Sequence, residues 1–250
     1  MREEIHTIPV NEGFEAGDEC PFCFMERAAE HSAIRFVAGP GASYMEPDVR
    51  AATGRTGFCT CHMKKLYDYG NLLGAALMLQ THMTSLLDEM KAAAENQKIP
   101  EKKGLFRKKV QVEDMPYHQV LKNRENACYI CEKVDYNMER YYHTFFVLLK
   151  DEAFREKVLA SKGFCLPHFA ALLQHAEQRL PDSLREWFYP TVYKLTLENL
   201  ERVKGDLDWF IAKYDYRNAS KPWGNSQDAL PRAMQKLQGF YPSDPVYKDK

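Results

Sequence analysis

The 250-residue sequence predicts an all-α fold, in which two tandem metal-binding helical repeats are followed by a C-terminal helix and a turn-rich tail. Apolar residues recur at alternating intervals of three and four over long stretches, which is the period of an amphipathic helix. No segment alternates apolar and polar residues convincingly enough to predict a strand. A pattern of cysteines and histidines occurs twice at similar spacing, which indicates duplication of one unit.

The duplicated pattern is a CxxC pair followed by Gly-Phe-Cys-x-x-His. Its members are Cys20, Cys23, Cys59 and His62 in the first copy, and Cys128, Cys131, Cys165 and His168 in the second. Three thiolates and one imidazole form the ligand set of a closed tetrahedral zinc site. We therefore expect two zinc ions per chain, each bound within one copy. A crossed pairing, in which the first CxxC meets Cys165 and His168, is the competing arrangement.

Other chemistries of these cysteines are less favoured. A disulfide framework needs an oxidising compartment, and the N-terminal sequence lacks the apolar core of a signal peptide. Thioredoxin-like chemistry places CxxC beside a βαβ pattern, whereas the flanking sequence here is helical. An iron–sulfur cluster usually takes four thiolates. Cys61 has no counterpart in the second copy, where Pro167 stands; a spare thiol is the favoured interpretation, and ligand exchange or redox sensing is the alternative.

The first repeat, residues 1–95, is expected to contain a CxxC helix and a long GFCxxH helix packed on two sides. The long helix is predicted by a stripe of Leu66, Tyr69, Leu73, Ala76, Gln80, Met83, Leu87 and Met90. Residues 96–118 are predicted to be a linker, because Pro100 and Gly104 interrupt a basic run from Lys98 to Lys109. Contact of this run with an anionic membrane surface or RNA is the alternative.

The second repeat is predicted over residues 119–182, and the C-terminal helix with its tail over 183–250. The stripe after the second CxxC is Val134, Met138, Tyr141, Phe145 and Leu148. The C-terminal helix is expected to face the core rather than form a coiled-coil dimer, because its stripe is short. The tail is expected to be a structural strap anchored by Tyr216, Trp223 and Leu230. The alternative is a polar recognition site lined by Arg217, Asn218, Asn225, Asp228 and Arg232.

Composition restricts the function classes. The net charge of −1 predicts no field that gathers nucleic acid, and the longest apolar run, Phe145 to Leu149, is far too short to span a membrane. No phosphate loop, nucleophile elbow or paired-histidine helix motif supports an enzyme. We therefore expect a cytoplasmic, non-catalytic zinc protein that binds an unidentified protein or small molecule. The alternative is an enzyme or a thiol-based redox or metal sensor, which would use a polar pocket and the histidines His82, His118, His143 and His175.

Three features carry a family resemblance: the start Ile8-Pro-Val-Asn11, the paired CxxC and GFCxxH motifs, and the tail. The tail reads Asp-Tyr-Arg-Asn, then Pro-Trp-Gly-Asn-Ser, then Asp-Ala-Leu-Pro-Arg. In these features nearly the whole chain resembles an uncharacterised bacterial family, mainly from Firmicutes, whose function is unknown. Some relatives are labelled as substrate-binding proteins of transporters. The sequence argues against that label, because it lacks a signal peptide, an N-terminal lipidation cysteine and the pattern of α/β lobes.

Overall fold

The computed structural model describes residues 6–95, 112–125, 127–239 and 241–242. The all-α prediction is confirmed, because the described residues form helices and no strand. Their α-helices are α1 (Thr7–Glu15), α2 (Pro21–Ala38), α3 (Pro47–Thr56), α4 (Thr60–Tyr69), α5 (Leu72–Glu95), α6 (Pro116–Glu125), α7 (Tyr129–Leu148), α8 (Glu152–Ala160), α9 (Leu166–Arg179), α10 (Arg185–Ala212) and α11 (Ala229–Gln238). Within this described part, no helix is both long enough and apolar enough to cross a bilayer.

Two compact units contain the described residues. Unit 1 comprises the described residues up to Ala29 and from Tyr136 onward, and unit 2 comprises those between Glu30 and Asp135. Each unit therefore takes residues from both copies of the motif, because the division falls within α2 and within α7. The predicted sequence boundaries at 95, 118 and 182 do not coincide with these units. The basic run from Lys98 to Lys109 lies outside the described residues.

The long helix predicted after the first GFCxxH motif is two helices. Gly70 ends α4 in a left-handed conformation (φ 93°), which an L side chain adopts only at a cost. Asn71 then starts α5, where its side-chain oxygen accepts a hydrogen bond from the backbone N–H of Gly74 at 3.0 Å. The regular apolar spacing continued across this break and concealed it.

Burial follows the predicted stripe in α7 but not in α5. All five stripe residues after the second CxxC are buried, as expected. In α5, by contrast, Leu73, Met83 and Leu87 are exposed, while Met78 is fully buried. The expectation that this helix packs on two sides is therefore wrong for the described residues. Periodicity identified the helix, but it did not determine which face of the helix is covered.

Aromatic packing forms the core of unit 1. Phe22, Phe145 and Phe164 are fully buried, and Phe14 stacks on Phe145 with a centroid separation of 5.7 Å. Burial of each such side chain contributes about 1.5–3 kcal/mol. The core thus joins side chains of α1, α2 and α7 with Phe164, which precedes α9, and this positions the neighbouring cysteines.

A buried lysine holds the tail, and only one of the three expected anchors is partly buried. Tyr216 and Leu230 are exposed, so the prediction that they anchor the strap is wrong; Trp223 is half-buried and lies 5.8 Å from the ring of Phe210. The buried Nζ of Lys213 donates to the backbone carbonyls of Asn218, Ala219 and Lys221. These bonds fold the turn because a buried ammonium requires several acceptors.

Candidate metal centres

The eight predicted ligands come together as two groups, but the predicted grouping is wrong. Site 1 consists of Cys20, Cys23, Cys165 and His168, and site 2 consists of Cys59, His62, Cys128 and Cys131. Within each group the potential ligand atoms all lie within 4.8 Å of one another. The first CxxC therefore meets the second GFCxxH, and the second CxxC meets the first GFCxxH. This is the crossed arrangement, and site 1 lies in unit 1 while site 2 lies in unit 2.

The ligand atoms of site 1 are fully enclosed. The Nδ1 of His168 lies 3.6 Å from Sγ of Cys20, 3.3 Å from Sγ of Cys23 and 3.1 Å from Sγ of Cys165. The sulfurs of Cys23 and Cys165 are 3.5 Å apart. All four residues are buried.

Site 2 has the same geometry but is less enclosed. The Nδ1 of His62 lies 3.2 Å from Sγ of Cys59, 3.3 Å from Sγ of Cys128 and 3.4 Å from Sγ of Cys131. The sulfurs of Cys59 and Cys131 are 3.9 Å apart. His62 and Cys128 are buried, whereas Cys59 and Cys131 are half-buried.

These distances fit a tetrahedral ion. With metal–sulfur bonds of about 2.3 Å and metal–nitrogen bonds of about 2.0 Å, a regular tetrahedron has S–S edges of about 3.8 Å and S–N edges of about 3.5 Å. The observed S–N separations of 3.1–3.6 Å and S–S separations of 3.5–3.9 Å lie close to these values. A disulfide is excluded in this state, because every cysteine is free. Each group can therefore hold a metal ion.

Two helix N-termini converge on each site. Cys165 is the N-cap of α9 and Cys59 is the N-cap of α4, while Cys20 and Cys128 directly precede α2 and α7. The backbone N–H of His168 lies 3.5 Å from Sγ of Cys165 and points to it as a donor. Unpaired N–H groups and the positive ends of the helix dipoles stabilise thiolate over thiol.

The glycine of each Gly-Phe-Cys segment is required by the backbone. Gly57 and Gly163 have φ values of 64° and 71°, which favour glycine strongly. A Cβ on Gly163 would lie 3.0 Å from the carbonyl oxygen of Leu195, and one on Gly57 would lie 2.5 Å from the ring of His82. The turn aims the following phenylalanine into the interior and leaves the cysteine at the helix start.

The crossed pairing follows from what the residues inside each CxxC contact. Phe22 is fully buried, and its ring lies 4.6 Å from that of Tyr142 on α7 and 6.0 Å from that of Phe164 in the second Gly-Phe-Cys. In unit 2, the backbone N–H of Tyr129 donates to the carbonyl of Gly57 at 3.0 Å. Each CxxC is therefore seated on the other copy's Gly-Phe-Cys segment, and its cysteines accompany it.

Each histidine has a carboxylate on its other ring nitrogen, and both carboxylates belong to α2. The Nε2 of His62 lies 2.8 Å from Oε1 of Glu30, and the Nε2 of His168 lies 3.4 Å from Oε2 of Glu26. A donor at Nε2 leaves the lone pair of Nδ1 directed at the sulfurs, which is the tautomer that a metal needs. Glu30 also accepts hydrogen bonds from Lys65. Neither glutamate belongs to a motif, although both follow Cys23 at helical spacings of three and seven residues on one face.

The charges of site 2 are strongly perturbed in the metal-free chain. Burial opposes an imidazolium, but hydrogen bonds to Cys128 and Glu30 outweigh it and raise the pKa of His62 to about 10. Burial also opposes a thiolate, yet the hydrogen bond from His62 lowers the pKa of Cys128 to about 6. Burial and the neighbouring Cys128 raise the pKa of Cys131. Without metal, these shifts favour a thiolate at Cys128 paired with an imidazolium at His62.

The pKa values of site 1 are shifted in the same directions as those of site 2, and its ligands are more deeply buried. Burial opposes an imidazolium there as well, but hydrogen bonds to Cys165 and Cys20 raise the pKa of His168 to about 11. Burial favours the thiol of Cys20, while hydrogen bonds from Cys165, Cys23 and His168 lower its pKa. The hydrogen bond to Cys165 raises the pKa of Cys23. A metal ion that takes a neutral imidazole and three thiolates must therefore displace protons at both sites.

The end of the chain contributes a cover for site 1 that the motifs did not reveal. Gly239 terminates α11 with φ 71°, and its carbonyl oxygen lies 3.7 Å from Sγ of Cys23. A Cβ at Gly239 would be 3.7 Å from the sulfurs of both Cys23 and Cys165. The end of α11 therefore covers the sulfurs of site 1, which contributes to their burial.

The histidines considered for an enzyme do not form a group. His82 and His118 belong to unit 2, and His143 and His175 belong to unit 1. His82 lies with Nδ1 2.8 Å from the carbonyl of Gly54, and His143 is exposed. His175 stacks on Tyr142 at 4.3 Å, and burial lowers its pKa.

Comparison with known proteins identifies a family without a known activity. Residues 1–244 match the model described as "Family of unknown function (DUF6062)", and the chain belongs to this family. No curated protein and no solved structure matches the chain.

Proposed function

We propose that this member of the family of unknown function binds two zinc ions as permanent structural elements and is a non-catalytic scaffold or binding protein. One observation carries the proposal. In both sites, the distances between three sulfurs and one Nδ1 match the edges of a tetrahedron of ligands around one ion.

Zinc is favoured over other metals by the donor set. Thiolate and imidazole ligands in tetrahedral geometry suit Zn²⁺, whereas Mg²⁺ and Ca²⁺ prefer oxygen donors. An iron–sulfur cluster usually takes four thiolates, and each site offers three. Four protein ligands leave no coordination position for a water molecule, which argues for a structural ion rather than a hydrolytic one.

The structural role rests on which segments the ligands join. Cys20 and Cys165 are separated by more than half of the chain, and the same unit contains both. Structural zinc contributes about 10–16 kcal/mol in small zinc-binding peptides, which is comparable to the whole stability of a domain at about 5–15 kcal/mol. Loss of the ions is thus expected to unfold or loosen the chain. Because zinc binding requires reduced cysteines, it favours a cytoplasmic location.

Metal analysis of the reduced protein tests the proposal. Protein purified without added metal is expected to contain two zinc ions per chain, and replacement by Co²⁺ is expected to give the absorption of tetrahedral cobalt thiolate centres. Removal by a chelator should lower helicity, and re-addition of zinc should restore it. A folded, reduced protein with a zinc content near zero would refute the proposal. A brown protein that contains iron would show that the sites hold an iron–sulfur cluster instead of zinc.

A redox or metal sensor is the second candidate, and the unequal exposure of the two sites favours it. Cys59 and Cys131 of site 2 are half-buried, and the exposed Cys61 lies two residues from Cys59. An exposed thiol beside a zinc thiolate could exchange with a ligand after oxidation. Mild peroxide should then release the zinc of site 2 in the native protein but more slowly in Cys61→Ser; equal rates would leave only the structural role.

A further inference from the structure

Helix α11 is docked in unit 1 by its polar side. Most of its buried residues are polar, and they are Arg232, Gln235 and Lys236 beside Ala229. Its large apolar side chains are exposed instead, and they are Leu230, Met234 and Leu237. Burial of an apolar face is what normally holds a helix on its domain. The docking of α11 therefore depends on specific polar contacts.

Lys236 is the centre of these polar contacts. Its side chain is 1% exposed, and its Nζ donates to the backbone carbonyls of Glu19 and Lys162 at 2.5 Å each. Oε2 of Glu19 lies 3.4 Å from the same Nζ and supplies a negative charge. A buried ammonium group requires several acceptors. Lys236 therefore holds two backbone segments that are far apart in the sequence.

Both of these segments carry ligands of site 1. Glu19 directly precedes Cys20, and Lys162 comes three residues before Cys165. A metal ion in site 1 would join the same two segments through the sulfurs of Cys20 and Cys165. The ammonium group of Lys236 and the ion therefore stabilise the same arrangement of the backbone.

Two further contacts connect α11 to the first CxxC. Nε2 of Gln235 donates to Oδ1 of Asp18 at 2.6 Å, and the same oxygen accepts the backbone N–H of Cys20 at 3.0 Å. At the end of the helix, the carbonyl oxygen of Gly239 lies 3.7 Å from Sγ of Cys23. Helix α11 thus contacts the segment before the first ligand and also reaches one ligand sulfur.

We propose that α11 is a clamp for site 1, in which Lys236 is the positioning residue that holds the two ligand-bearing segments together. Because the docked helix keeps these segments in the arrangement that the ion requires, docking of α11 strengthens metal binding. By linkage, a bound ion strengthens the docking of α11 by the same factor. The clamp rests on the zinc function proposed above, and it adds that the occupancy of site 1 is coupled to the docking of the C-terminal helix.

The test measures the rate of zinc release from the full-length protein to an excess of chelator. The phase that belongs to site 1 is identified by its absence from Cys165→Ser. Lys236→Met removes the ammonium group but keeps a long side chain, and it should accelerate release from site 1 at least about tenfold, because the charge-assisted hydrogen bonds to both segments are lost. Release from site 2, which belongs to the other unit, should stay within about twofold of the native rate.

Lys213→Met is the matched control. Lys213 is also a buried lysine of unit 1 whose Nζ donates to backbone carbonyls, but these carbonyls belong to the turn after α10 and not to the segments that carry ligands of site 1. Its loss should lower the stability of the protein in denaturant titrations. Release of zinc from site 1 should nevertheless stay within about twofold of the native rate.

A second pair of variants decides the outcome if Lys236→Met does not fold. Gln235→Ala removes the contact with Asp18, whereas Gln238→Ala makes the same change at an exposed position of α11. Gln235→Ala should accelerate release from site 1 by about threefold or more, and Gln238→Ala should leave it unchanged.

Three results would overturn the clamp. They are unchanged release from site 1 in Lys236→Met, equal acceleration in Lys213→Met, and equal rates in the two glutamine variants. The zinc content of the native protein is measured separately. A native protein without zinc would refute the metal proposal itself, whereas two bound zinc ions with unchanged release in the variants would refute only the clamp.

Discussion

The carboxylate behind each histidine should tune metal affinity, and the two sites predict different magnitudes. Glu30 is 13% exposed and its Oε1 lies 2.8 Å from Nε2 of His62, whereas Glu26 is 45% exposed and lies 3.4 Å from His168. Removal of such a partner typically costs 10–100-fold in metal affinity, or about 1.4–2.7 kcal/mol. We expect Glu30→Gln to weaken site 2 within that range and Glu26→Gln to weaken site 1 by less than about tenfold, because solvent screens the longer contact.

The assay is competition for zinc with a chromophoric chelator of known affinity, with each variant's two sites resolved by their order of release. Lys65→Gln is the control for Glu30, since it removes the other partner of that carboxylate without touching the imidazole. No loss for Glu30→Gln would show that this carboxylate does not orient its histidine. Equal losses for Glu26→Gln and Glu30→Gln would show that exposure and distance do not set the magnitude.

Three further outcomes are expected. Because Cys59 and Cys131 of site 2 are half-buried while the ligands of site 1 are buried, a chelator should remove zinc in two phases, first from site 2 and then from site 1. Cys131→Ser should abolish the fast phase, and a single phase in the native protein would contradict this expectation. The pKa of His62 is raised to about 10 and that of Cys131 is raised as well, so both protons must leave on metal binding. The zinc affinity of site 2 should therefore rise with pH through the neutral and mildly alkaline range. Calorimetry in buffers of different ionisation enthalpy should detect the released protons, and a pH-independent affinity would refute this expectation. Gly163→Ala should destabilise the protein by about 1–3 kcal/mol in denaturant titrations, because Gly163 has a positive φ and a carbonyl oxygen lies close to where the Cβ would be. Gly205→Ala is the control: its Cβ would lie in open space within α10, and it should stabilise the protein by about 0.5–1 kcal/mol. Similar effects of the two substitutions would contradict the turn geometry.

Local spacing predicted which residues gather, because CxxC and Cys-x-x-His each fix two ligands on one helical turn. All eight side chains are in the two groups, and a helix starts at or directly after the first cysteine of each motif. Spacing could not predict which CxxC meets which GFCxxH, because both pairings satisfy the same local geometry. That choice is made by non-local packing, such as Phe22 against Tyr142, whereas the general preference for short local connections favoured the local pairing.

The remaining misses have similar causes. The break at Gly70 was hidden because the apolar period continues through it, although glycine at a helix end is a recognisable signal. The exposure of the apolar stripe on α5 was not predicted, because periodicity shows that a stripe exists but not whether another element packs against it. Glu19 carries no motif at all; its burial depends on ion pairs with Arg202 and Lys236, which only the tertiary fold brings beside it.

The central claim is that two tetrahedral sites each join one copy's CxxC to the other copy's GFCxxH. Zinc content of paired cysteine variants tests it most directly. In the crossed arrangement, Cys20→Ser with Cys165→Ser removes two ligands of one site and should leave one zinc per chain, whereas Cys20→Ser with Cys59→Ser damages both sites and should leave none. The reverse result, with no zinc in the first double variant and one zinc in the second, would contradict the account.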